Sequence, residues 1–105
     1  MLELVKEIEG LAERELQRAN EERPLFVDNH QAFAVILEEY QEAKEEVEEF
    51  CKVAMDMWKN VRTDSDCYDH LKVMEHNAKN LAAEAVQLAA MCRKAIESEK
   101  ARNEK

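Results

Sequence analysis

Glu39 and Glu42 stand three residues apart in LEEYQEAKEEVEEF, and Glu84 stands in the otherwise apolar run LAAEAVQLAAM, with Gln87 three residues on. Carboxylate and amide oxygens are the ligands that hard divalent cations take, and magnesium prefers a few carboxylates together with waters and substrate phosphates. Held by Glu39, Glu42, Glu84 and Gln87, a magnesium or manganese ion would relieve the repulsion among the acids and present a triphosphate to attack by water. Glu38, immediately before Glu39, would orient a ligand or help to activate water. A second reading of the same residues is open. Glu38 to Glu49 can form a solvated helix face, with Glu84 at an interface edge and paired with a cation such as Lys79.

The spacing of apolar residues decides what must position these groups. Ile36, Tyr40, Ala43, Val47 and Phe50 recur at intervals of three and four, the period of one face of an α-helix. Seven glutamates and one lysine fill the thirteen residues from Glu38 to Phe50. Like charges at i,i+4, such as Glu38 and Glu42 or Glu42 and Glu46, each cost a helix roughly 0.2–0.5 kcal/mol unless a cation offsets them. On such a helix Glu39 and Glu42 project roughly 60° apart, and both flank the apolar stripe. An acid in so apolar a stretch as that around Glu84 is the more informative feature, because acids are rarely buried without a partner.

The pattern predicts three helices. Leu4, Ile8, Leu11, Ala12, Leu16 and Ala19 mark the first, over about 2–20, ended at Arg23 because Pro24 biases its predecessor away from helical geometry. Asp28 with Gln31 three residues on has the form of a capping box and starts a second helix over about 29–62. Its stripe runs Phe33, Ile36/Leu37, Tyr40, Ala43, Val47, Phe50 and on through Ala54, Met57/Trp58 and Val61. Thr63 to Asp66 is a short polar turn. A third helix over about 66–99 carries Cys67, Leu71, Met74, Ala78, Leu81 and Ala85, then Leu88, Cys92 and Ala95. Val86, Ala89, Ala90 and Ile96 make its apolar face wider than a two-stranded seam. The charged tail from Ser98 to Lys105 is expected to fray.

The second and third helices would each be roughly 50 Å long at 1.5 Å per residue, whereas a compact domain of this size has a radius of gyration of only about 13 Å. Their apolar stripes call for cover. The expected architecture is therefore all-α: a three-helix protomer with two long antiparallel helices, associating into an oligomeric helical bundle, a dimer or a tetramer.

Composition narrows the classes further. A chain of 105 residues is one domain by length, and a single glycine and a single proline leave almost no turn chemistry for a β-protein. The net charge of −9 argues against nucleic acid as a partner, since holding a phosphate backbone takes a lysine and arginine surplus. Cys51, Cys67 and Cys92 have no zinc-like spacing and read as small apolar residues. With no signal-peptide pattern and no apolar run approaching the ~18 residues that span a membrane, a cytoplasmic location and no membrane partner are expected. One glycine rules out a glycine-rich phosphate loop. The Glu-x-x-His pair of di-iron bundles is absent, because His30, His70 and His76 follow Val27, Cys67 and Val73 at the i−3 position.

HQAFAVILEEYQEAKEEVEEF, followed later by LAAEAVQLAAMCRKAIES, resembles the small phage-type members of the MazG-like family, one of the all-α nucleoside triphosphate pyrophosphohydrolases. The resemblance covers His30 to Ser98. It implies an ExxE on one helix and an ExxD on another that together bind magnesium, dimers or tetramers of helical bundles, and cleavage of a nucleoside triphosphate to monophosphate and pyrophosphate. Carried over, ExxE falls on Glu39 and Glu42, preceded by Glu38, and ExxD falls on Glu84 and Gln87. Glutamine at the last position departs from the pattern. Its amide still offers one neutral oxygen, but a negative charge is lost and cation affinity should fall. Two functions follow as expectations: a magnesium-dependent pyrophosphohydrolase weakened by Gln87, or a non-catalytic helical oligomer that binds nucleotide or serves as an interaction module.

Overall fold

The computed structural model describes residues 1–23 and 25–104, and over them the chain is three α-helices with no strand: α1 Leu2–Glu22, α2 Asn29–Arg62 and α3 Tyr68–Asn103. Arg23 closes α1 in an extended conformation, φ −145° and ψ 105°, as expected of a residue that precedes proline. Pro24 itself, and Lys105 at the end of the charged tail, lie outside the described residues.

The start of α2 is fixed by its caps. Asp28 accepts the Gln31 N–H at 2.9 Å, and the Gln31 side chain in turn accepts the N–H of Val27, the residue before the cap, at 2.8 Å, so one donor of the first turn and one just ahead of it are satisfied. Its end is fixed by a Schellman closure. The Ser65 N–H bonds the Asn60 carbonyl at 2.8 Å and the Asp64 N–H bonds that of Val61 at 3.2 Å. The closing position has φ 54° and is occupied by Asp64, a short polar residue that tolerates the left-handed region in a chain with almost no glycine.

Chain reversal at this turn makes α2 and α3 an antiparallel hairpin. Asn29 Nδ2 donates to Glu99 at one end, and Asn77 Nδ2 donates to Glu46 near the middle, both at 3.2 Å. α1 lies against α3 and not against α2, with Leu16 of its second half buried and Val5, Ile8 and Glu9 of its first half lining a groove with Ala89 and Arg93. Leu16, Phe26, Ala32, Ala90 and Met91 form the buried core, with Ala19, Val35, Ile36 and Ala95 packed on it.

The connection between α1 and α2 is strapped down by the C-terminal end of α3. Buried Ser98 accepts the Phe26 N–H at 2.9 Å while donating to the Lys94 carbonyl at 2.7 Å. Arg102 donates to the Phe26 carbonyl at 3.2 Å and to Asn29 Oδ1 at 2.9 Å. The Lys94 ammonium sits 4.9 Å from the centre of the Phe26 ring. Burial first, and then the nearby Arg23 charge, lower the pKa of Lys94 from the usual lysine value. These contacts carry the helix through Ser98 to Asn103, where fraying was expected.

The rest of the hairpin stands clear of the core. The molecule measures 65 × 29 × 22 Å with a radius of gyration of 18.1 Å, against about 13 Å for a compact domain of 100 residues. Among the described residues no helix is long and apolar enough to cross a membrane.

Candidate metal centre

The seam between two antiparallel helices wants apolar residues at every third and fourth position. On α2 the residues turned toward α3 are Ala32, Ile36, Glu39, Ala43 and Glu46, and on α3 those turned toward α2 include Asn77, Leu81, Glu84, Leu88 and Met91. Three acids and an amide therefore occupy seam positions, within a stretch of about two turns. Glu46 is seven residues after Glu39, and Asn77 seven before Glu84, so each pair repeats at the seam's own period.

Glu39, Glu42 and Glu84 converge: one carboxylate oxygen from each lies within 4.8 Å of the others. Glu39 and Glu84 are half-buried. One oxygen of each, Glu39 Oε2 and Glu84 Oε2, is fully shielded and has no hydrogen-bond partner. Desolvation first, then the charges of Glu42, Glu38 and Glu15, raise the pKa of Glu39 above the usual 4.5. Glu84 is raised as well, by desolvation, by close contact with the Glu42 carboxyl, and by the charges of Glu42, Glu39 and Glu46.

Three cations on these helices are engaged elsewhere. Lys79 pairs with Glu75 at 3.3 Å, Lys44 lies 3.9 Å from Glu48, and Arg18 pairs with Glu15. Among the described residues no lysine or arginine forms an ion pair with Glu39, Glu42 or Glu84, so the pairing of Glu84 with Lys79 is not made. Glu38 is exposed and lies outside the convergent trio, acting on it through its charge. Gln87 is half-buried and lines a groove of about 450 Å³ between α1 and α3, together with Leu11, Arg14, Glu15, Arg18 and Val86. The groove adjoins the acids, since Glu15 on its wall acts on Glu39 and Gln87 is one turn from Glu84.

The donor set suits a hard cation. Magnesium holds oxygens at 2.0–2.1 Å in octahedral array, which places adjacent ligand oxygens about 3 Å apart. Oxygens already within 4.8 Å need only small side-chain rotations to reach that spacing. Glu39 Oε2 and Glu84 Oε2 are exceptions to the rule that buried polar atoms find a hydrogen-bond partner.

Residues that the sequence reading passed over join the trio here. Glu46 and Asn77 extend the polar seam, with Asn77 buried, its amide bonded to Glu46 and its Oδ1 shielded without a partner. Their i+7 and i−7 spacing from Glu39 and Glu84 was the available signal. Arg14 and Arg18 carried no local signal, because only the crossing of α1 over α3 brings them to the groove that Gln87 lines.

The raised acids give a pH dependence with a definite sign. In the folded chain Glu39 and Glu84 hold their protons to higher pH than in the unfolded chain, so in that window the folded state binds more protons and stability falls as pH rises. Without divalent ions, the melting temperature is expected to rise as the solution is acidified from neutrality toward the usual glutamate range. In Glu39→Gln with Glu84→Gln this rise should be smaller, and circular-dichroism melts across the range would measure the difference.

No family model, curated protein or solved structure matches this chain.

Proposed function

We propose that the chain is a divalent-cation-dependent nucleoside triphosphate pyrophosphohydrolase, with Glu39, Glu42 and Glu84 as the cation ligands. The observation that supports this most is the convergence of these three carboxylates at a helix seam with no cationic partner. A magnesium or manganese ion bound there would polarise the phosphoryl oxygens and lower the pKa of a bound water. Gln87 adds a neutral amide oxygen at the edge of the set. Glu38, exposed beside Glu39, orients water or ligand from outside the trio. Arg14 and Arg18 on the groove wall meet the anionic end of the substrate, and Leu11 and Val86 give its less polar part a surface.

The same reading has the chain working as a homo-oligomer, a dimer or a tetramer. The trio comes from two helices of one chain, so ion binding and assembly are separable properties. A non-catalytic helical oligomer is the alternative, favoured by the neutral Gln87 where a fourth acid would strengthen the site.

The deciding experiment is pyrophosphate release from a panel of ribo-, deoxy- and base-modified nucleoside triphosphates with magnesium or manganese. Activity in the wild type that Glu39→Gln abolishes supports the enzyme. Silence in the wild type with activity in Gln87→Asp assigns a site weakened by one residue. Silence in every variant favours the alternative.

A further inference from the structure

Glu46 and Asn77 face each other across the seam, each seven residues along its helix from Glu39 and Glu84, and the cation trio uses neither. Asn77 is 6% exposed, and its Oδ1 is shielded without a hydrogen-bond partner. A buried polar atom of that kind calls for an explanation. The amide nitrogen of the same side chain donates to Glu46 at 3.2 Å, so the orphaned oxygen belongs to an amide already turned toward an acid of the facing helix. Glu46 is half-buried and, among the described residues, forms no ion pair with a lysine or arginine.

Helix geometry brings this pair within reach of the trio. Side chains on a helix lean toward its N-terminus. On antiparallel helices those of Glu46 and Glu84 therefore lean toward each other, from levels roughly 10 Å apart along the seam. Desolvation and Glu42 do most to raise the pKa of Glu84, and the charges of Glu39 and Glu46 add to it. Glu84 thus stands between the trio on one side and Glu46 on the other.

Charge favours a second occupant. Glu39, Glu42, Glu46 and Glu84 together carry four negative charges when ionised. One divalent ion at the trio offsets two of them, and a second offsets the rest.

We infer that the seam takes a second hard divalent cation beside the first, with Glu46 and Asn77 Oδ1 as its own ligands and Glu84 shared between the two ions. This site rests on the trio proposed above, because Glu84 serves both.

Asn77 suits both states of the site. Without the second ion its amide nitrogen faces Glu46 and satisfies the acid. Turned over about its terminal bond, the amide faces Glu46 with its oxygen, and the cation sits between two oxygens. Neutral amide oxygens serve hard cations alongside carboxylates. Two metal ions in one site lie about 3.5–4 Å apart, a separation that a shared carboxylate spans. The second ion binds after the first, since the two repel and the first holds Glu84 in place.

Equilibrium dialysis against manganese, read together with the electron paramagnetic resonance of the bound ion, tests the site. The wild type is expected to take up two ions per chain in sequence. The second should convert the spectrum of an isolated ion into that of a spin-coupled pair, with the hyperfine spacing halved. Asn77→Leu and the near-isosteric Glu46→Gln should each lose half the capacity and keep the isolated-ion spectrum, with the hairpin intact by circular dichroism. Asn77→Asp, which supplies a charged oxygen, should keep both ions and tighten the second. A wild type that saturates at one ion per chain overturns the inference, and loss of that ion in Glu39→Gln would leave the trio standing. No bound ion at all removes the trio as well. Two ions without spin coupling also overturn it, placing the second among exposed acids. So does an Asn77→Leu protein that melts higher and still binds a coupled pair, which would make Asn77 a residue that only sets the register of the helices.

Discussion

Glu84→Gln is expected to raise the melting temperature of the ion-free protein and to abolish the further rise that magnesium or manganese gives the wild type. Both effects have one cause. Without a cation, the shielded Glu84 oxygen sits among Glu39, Glu42 and Glu46 with no donor, and the amide removes that repulsion. Relief of a like-charge contact on a helix is worth roughly 0.2–0.5 kcal/mol, which shifts the melting of a domain this size by a few degrees. With a cation the balance reverses. An ion at 100 times its dissociation constant stabilises the folded state by about 2.7 kcal/mol, or on the order of 10–20 °C. Loss of a charged ligand should remove most of that gain. Glu48→Gln on the exposed face should keep it, because Glu48 pairs with Lys44 and takes no part in the trio. Melts at constant ionic strength separate the specific effect from general screening of a chain with net charge −9.

Phe26→Ala is expected to be the most damaging single change to the fold. Phe26 is 6% exposed and lies at the junction of all three helices, in a small core with Leu16, Ala32, Ala90 and Met91. Truncating a buried phenylalanine costs about 3–5 kcal/mol, a large part of the 5–15 kcal/mol that holds a domain together. The backbone of Phe26 would still be held by Ser98 and Arg102, so the loss is one of packing. Ser98→Ala offers an internal comparison: it leaves the Phe26 N–H buried without an acceptor and should cost about 1–3 kcal/mol. Urea unfolding followed by circular dichroism would rank the two. Equal costs would show that the strap, and not the ring, carries the junction.

Much of this was legible in the chain. Asp28 and Gln31 announced the start of α2 because capping is local chemistry, and α2 begins and ends where its apolar period does. The run around Glu84 exposed an acid where a seam wants none. Other features depended on contacts distant in sequence. Ser98 and Arg102 read as a charged tail, since nothing nearby shows that they meet Phe26 more than seventy residues away. The stripe of α2 read as one broad face alternating between Ile36/Leu37 and Met57/Trp58. It is two narrow faces one residue apart, one turned to α3 and one bare, and only the placement of α3 separates them. Glu46 and Asn77 were hidden by the same merging, because seam positions could not be counted until the seam was known.

The central claim is that Glu39, Glu42 and Glu84 hold a divalent cation, and manganese titration followed by electron paramagnetic resonance tests it most directly. The expected result is saturable binding to the wild type at constant ionic strength, lost in Glu39→Gln and in Glu84→Gln, strengthened in Gln87→Asp, and unchanged in Glu48→Gln. Manganese that stays free at every protein concentration, or binding that Glu48→Gln weakens as much as Glu84→Gln does, would contradict it.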